Sequence, residues 1–324
     1  MQASPITYRN LGILIVSLVL INIAIGLYKS FEKKTTNNHS VNYFVKNSKS
    51  LDNNSGGVKV DYISQSSEMI EIFNKYEFSI ENLFSSDSAN LIIFSSLPDD
   101  FMDIQPVVDR KKLFINTLIP IIYSENLRIL SERKKILDWW RESNGENFSR
   151  DFWPQWLFEL SEKYESNDSN LGNLLIKVDI VPISLALAQA AIESGWGTSR
   201  YSREGNAIYG QYTFDEKKGL KPLKRDANEK FFVRKFTNLS ESTKSYLKNI
   251  NTHPAYENFR EERKKLRMSG ENLSGQILVS YLSSYSERRQ DYIKDVKEIM
   301  RTNNFRKYDN IKLANFLRKV NEIK

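Results

Sequence analysis

The stretch VPISLALAQAAIESGWG, residues 181–197, constrains the fold more than any other part of the chain. Ile183, Leu185, Ala186, Leu187, Ala188, Ala190, Ala191 and Ile192 leave a helix here little polar surface. Such a helix has no face to offer water and belongs in the middle of a domain. Asp179 lies just before it, Pro182 fits the first turn, and Gly195 and Gly197 supply the stop.

One carboxylate, Glu193, stands at the end of this apolar helix. Desolvation disfavours its charged form, and the negative end of the helix dipole acts in the same direction. Both effects raise its pKa, which suits a general acid near neutral pH. The competing reading is structural, with Glu193 capping or pairing with Arg200 or Arg203. Gly195 and Gly197 permit close approach of the backbone, and Trp196 offers a flat apolar wall beside the acid.

Around this helix the pattern is mostly helical. Residues 68–78 place Met69, Ile70, Ile72 and Phe73 at helical spacing. From residue 110, Leu113, Phe114, Thr117, Leu118, Ile121 and Ile122 share one face, and Pro120 is expected to kink or divide that helix. Residues 211–214 and 231–236 lean towards strand around a Lys- and Gly-containing connection, which predicts a hairpin or small sheet lobe. Helices resume at 240–249, 255–268, 274–280 and 290–302. The expected class is α+β, mostly α, with one small β element.

The N-terminus is of another kind. Residues 11–28, LGILIVSLVLINIAIGLY, carry no charge, just short of the roughly 20 residues that span a bilayer. Small residues are sparse near its end, so an uncleaved transmembrane anchor is expected rather than a signal peptide. Basic residues flank both sides, and the charges leave the orientation open. The expected organisation is a tail at 1–10, the anchor at 11–28, a Ser/Asn/Lys-rich flexible linker at 29–60 and a helical extension at 61–105. The main domain follows at 106–309, with a C-terminal helix at 310–324.

Composition excludes several chemistries. The chain has no cysteine and only two histidines, His39 and His253. Thiolate chemistry is out and a His-rich zinc site is implausible, while a carboxylate-only calcium or magnesium site stays open; no metal and no cofactor are assigned. The net charge of +7 reads as a solvated surface or as attraction to a polyanion. No basic stripe interleaved with aromatics points to nucleic acid. His253, between Thr252 and Pro254, is read as a turn-holding residue or a substrate contact.

The segments AQAAIESGWGTSR (188–200) and GNAIYGQY (205–212) closely resemble the signature of the bacterial glucosaminidase family that cleaves peptidoglycan, glycoside hydrolase family 73, and within it the Bax-like subgroup. LPDD (97–100), FI with LIP (114–120), NTHPAY (251–256) and YSER (285–288) agree with it, so the resemblance covers roughly 97–304. It implies a lysozyme-like helical domain with a β-hairpin lobe across a groove. Glu193 matches the family's general acid, and Tyr285 the tyrosine lining the cleft opposite it. Gly205 and Asn206 match the turn before the lobe, Tyr209 sits at an aromatic position, and these three with Trp196 are the expected substrate-binding residues.

The family's second glutamate, in the lobe, has no clear match here. Asp226 and Glu229 are the acids in that neighbourhood, with Glu229 preferred, and the substrate's own acetamido group is an alternative. The resemblance implies an endo-β-N-acetylglucosaminidase acting on peptidoglycan glycan strands. The expected protein is a monomer held in the inner membrane by its N-terminal helix, with the catalytic domain in the periplasm. A lytic transglycosylase and an inactive wall-binding scaffold are the other readings. Residues 205–212 lack the Gly-Leu-Met-Gln type signal of the former.

Overall fold

A computed structural model describes residues 58–81, 91–143, 150–168, 170–223 and 230–309. The expected anchor at 11–28, most of the linker, the C-terminal helix at 310–324 and both lobe acids, Asp226 and Glu229, lie outside the described residues. Among the described residues no helix is long and apolar enough to cross a membrane.

In chain order the elements are β1 (Val58–Val60), α1 (Ser66–Lys75), β2 (Ile92–Phe94), α2 (Val107–Glu142), α3 (Gln155–Lys163), α4 (Leu171–Lys177), α5 (Ile183–Ser194), α6 (Arg200–Gly205), β3 (Tyr212–Thr213), β4 (Gly219–Leu220), β5 (Phe232–Arg234), α7 (Leu239–Thr252), α8 (Glu257–Ser269), α9 (Gly275–Leu278) and α10 (Arg289–Thr302). Helix α5 is the axis: α2, α9 and α10 pack on it. Residues 183–191 are all buried, as the unbroken apolar run predicts.

Both ends of α5 are held by distant parts of the chain. At its start, the Asn126 side chain of α2 donates to Val181 O at 2.8 Å and accepts from Val181 N at 3.3 Å. Asp309 accepts from Ser184 N at 2.9 Å and Ser184 Oγ at 2.6 Å, and also from Gly275 N at 3.0 Å. A carboxylate at a helix N-terminus satisfies free N–H groups and meets the positive end of the dipole. At its end, Gly195 adopts the left-handed conformation, and Trp196 N donates to Ala191 O at 2.8 Å. Gly197 then approaches Leu97 and Phe101 so closely that an added Cβ would stand 2.6 Å from Leu97 Cδ1.

Helix α2 is 36 residues long and runs undivided through Pro120. The missing N–H and the ring clash cost about 3 kcal/mol. Residues 117–122 are all buried, however, and each large apolar side chain removed from water returns about 1.5–3 kcal/mol. Packing therefore overrides the local breaker.

Asp179, expected only as a helix-start residue, is the centre of a buried ion-pair network. Arg267 grips its carboxylate with two bonds, at 2.9 and 3.1 Å, and Arg133 Nη1 lies 4.0 Å away. Arg263 donates to the carbonyls of Asp179, Ile180 and Ile176 and to Asn251 Oδ1. The network ties α2, α7 and α8 to the segment that enters α5.

Two small sheets complete the fold. β1 and β2 pair in parallel, Val58 opposite Ile92, so the segment before α2 holds strand as well as helix. Three-residue strands carry too little alternation to be read from sequence. The lobe is a three-stranded antiparallel sheet in the order β3-β5-β4, one strand more than a hairpin.

Candidate active site

Glu193 is half-buried in the last turn of α5. Burial pushes its carboxyl pKa up, and a hydrogen bond from Tyr292 of α10 pulls it back in part. Glu193 forms no ion pair among the described residues. Arg200 instead pairs with Glu204 at 3.1 Å and donates to Lys221 O at 2.6 Å. A desolvated carboxyl without a cation beside it favours its protonated form.

Tyrosines surround it. Burial raises the phenol pKa of Tyr246, Tyr256, Tyr285 and Tyr292, and the nearby Glu193 adds to the rise in each. All four are therefore neutral donors at physiological pH. They form a relay along α5: Tyr246 Oη donates to Gln189 Oε1 at 2.7 Å, and Gln189 Nε2 donates to Tyr292 Oη at 3.0 Å. Tyr292 Oη in turn donates to Glu193. Gln189 and Glu193 are four residues apart, so both meet the same α10 face. Of these, sequence reasoning missed Gln189, Tyr246 and Tyr292. The one available signal was Gln189, the single amide in an apolar helix, one turn before the acid.

The opposite wall is backbone. An added Cβ at Gly210 would stand 2.7 Å from Glu193 Oε2, and the residue has a φ of +63°. Glycine alone meets both conditions without strain. Tyr285 Oη donates to Tyr209 O at 2.9 Å, which pins the peptide leading into Gly210. Tyr285 also stacks on Tyr292 with ring centres 5.6 Å apart. Tyr209 itself is buried, stacked 3.9 Å from Tyr246. The geometry thus gathers Glu193, Tyr285 and Tyr209 into one cluster.

The other expected residues have contacts of their own. Trp196 packs edge-on to Phe114 and near Phe305, and Lys111 Nζ lies 4.6 Å from its ring centre. Residues 195–197 all have positive φ, and the indole, partly exposed, packs on the α2 side. Gly205 and Asn206 join α6 to the lobe: Phe236 N donates to Gly205 O at 2.8 Å, and Asn206 Nδ2 to Phe236 O at 3.3 Å. His253 accepts from Ala255 N at 3.2 Å through Nδ1, which holds the turn.

The relay makes a prediction. Tyr292→Phe removes the donor that favours the Glu193 carboxylate, so the Glu193 pKa rises further. Carboxyl-detected NMR titration should show that upward move, together with a stability loss of about 1–3 kcal/mol from the orphaned Gln189 amide. An unchanged or lowered titration point would remove Tyr292 from the account.

The family match spans the segment that carries Glu193. Residues 170–305 match the glucosaminidase family, described as mannosyl-glycoprotein endo-beta-N-acetylglucosaminidase. The chain is similar to Protein bax of Escherichia coli (strain K12), 31% identical over 222 residues, which is 63% of this chain and 73% of that relative. No solved structure matches the chain.

Proposed function

The chain belongs to the Bax-like glucosaminidase family, and on that premise we propose that it hydrolyses the β-1,4 bond following N-acetylglucosamine in peptidoglycan glycan strands. The supporting observation is Glu193, desolvated at the end of α5 without a cation and held by Tyr292. A neutral carboxyl in that setting donates its proton to the leaving glycosidic oxygen as the bond breaks. Tyr285 acts on this site through the backbone, by fixing the Tyr209–Gly210 peptide against the acid.

Glycoside hydrolysis needs a second group to activate water or stabilise the oxocarbenium ion. Glu229 and the substrate's acetamido oxygen are the two candidates for it. Anomer analysis narrows the choice: an inverted product means a base acting on water, whereas a retained one means acetamido participation or a carboxylate nucleophile. On this reading residues 11–28 anchor a monomer in the inner membrane and the domain works in the periplasm.

The test is digestion of purified sacculi with the full chain, followed by mass spectrometry of the released fragments. Reducing N-acetylglucosamine ends are expected. Anhydro ends would make the protein a lytic transglycosylase, and retention on sacculi without release would make it a binding scaffold. Either result overturns the proposal.

A further inference from the structure

Apart from the Glu193 cluster, the molecule holds a cavity of about 260 Å³ between β5, α7 and the α2–α3 pair. Arg128, Lys163, Arg234, Lys244 and Lys248 line it, with Glu241 as the one carboxylate in the lining. Outside the lining, Glu132 bonds to both Arg128 and Lys163, and Glu125 also pairs with Arg128 at 2.9 Å. Lys248 meets Glu165 at 3.3 Å and Lys244 meets Glu241 at 3.5 Å, both exposed pairs of the kind that contribute little. Arg234 has no carboxylate partner among the described residues. Its Nη1 reaches only Ser245 Oγ, at 3.4 Å, and its guanidinium lies 5.1 Å from the Phe236 ring centre.

Like charges crowd here. Burial lowers the Lys163 pKa, and Arg128 and Lys244 lower it further against the pull of Glu132. An anion entering the cavity would relieve that repulsion and give Arg234 a partner. A guanidinium fork matches a planar carboxylate. The charged donors are side chains on four separate elements; at the one helix start in the lining, the first turn of α7, Asn238 Oδ1 already accepts from Glu241 N and the Glu241 carboxylate lines the cavity, which disfavours a phosphate there. The volume is below that of pockets for drug-sized ligands, so it suits a short acidic side chain rather than a sugar.

The cavity is tied to the candidate acid. Arg234 N donates to Gln211 O at 2.7 Å, and Gln211 Nε2 donates to Ser245 O at 3.4 Å. Gln211 directly follows Gly210, which abuts the Glu193 carboxylate. We infer that this cavity receives a carboxylate of the acidic peptide carried by the glycan strand lying at Glu193, and so selects peptide-bearing strands over bare glycan. The inference rests on the glycan reading of the Glu193 site.

The experiment compares the full chain with an Arg234→Gln, Lys244→Gln double variant. Both side chains are exposed, so the variant keeps its fold. On peptide-bearing strands its kcat/KM should fall about tenfold, mainly through KM, with no loss on strands stripped of peptide by an amidase. Equal loss on both substrates, or none on either, overturns the inference. Calorimetry with the free acidic stem peptide and with inorganic phosphate is independent of cleavage. The peptide should bind wild type and bind the double variant about tenfold more weakly; preference for phosphate, or no peptide binding, rejects the inference. If wild type cleaves neither strand yet binds the peptide as stated, the hydrolase reading fails and the cavity assignment stands.

Discussion

The Glu193→Gln protein is expected to release glycan fragments about 10²- to 10⁴-fold more slowly than wild type while remaining folded. Glutamine keeps the shape and an oxygen that accepts from Tyr292, but it has no proton to give. Apart from the Tyr292 bond, which the glutamine oxygen can still accept, the buried run at 183–191 does not involve the carboxyl, so cooperative unfolding is retained. The pH dependence has a definite sign. Burial raises the folded pKa of Glu193 above its unfolded value. Its favourable contribution to stability is therefore complete below the unfolded pKa, about 4.3, and is lost as pH rises through the folded pKa. The variant lacks this term, so its melting temperature should gain on wild type as pH rises through that window. Activity in wild type should fall over the same range, because the acid must be protonated. If the variant digests sacculi as fast as wild type, another group supplies the proton and the assignment of Glu193 is wrong.

That residue was legible in the sequence because the signal is local. An apolar helix, a terminal carboxylate and a left-handed glycine stop lie within fifteen residues of one another, and composition alone requires burial of the first. The upward pKa follows from the same facts. The partners of Glu193 were not legible. Tyr292 meets Gln189 across 103 positions of chain, and Tyr246 meets it across 57. No periodicity encodes such a pairing; it exists only once α7 and α10 have packed beside α5. Trp196 was read as a wall beside the acid from adjacency in sequence alone, which could not show the three positive-φ residues at 195–197 or the packing of the indole on Phe114 of α2. Pro120 was misleading for a related reason, since a local rule met a stretch buried on every side. The lobe was visible as β-leaning pieces, yet its third strand is two residues long and gives no pattern to read.

The Asp179 network, equally invisible in sequence, carries the largest expected effect on stability. Asp179→Ala should cost about 3–5 kcal/mol, because it leaves the Arg267, Arg133 and Arg263 charges buried without their anion. Against a typical total of about 5–15 kcal/mol this is a large share. For a domain of this size it corresponds to a fall of roughly 6–20 °C in melting temperature. Burial by itself would raise the Asp179 pKa, but Arg267, Arg133 and Arg263 overcome it and hold the carboxyl far below the usual carboxylate range. A depressed folded pKa gives stability that is present above the unfolded value, about 3.9, and is lost as pH falls below it towards the folded one. Wild type should therefore lose stability from about pH 4 downwards, and the difference from Asp179→Ala should shrink over the same interval. The site lies at the far end of α5 from Glu193 and touches no group around it. At temperatures where the variant is folded, its rate per folded molecule should thus match wild type. A melting temperature within a degree or two of wild type at neutral pH would show that the three arginines find other partners, and that this network does not hold the entrance of α5 in place.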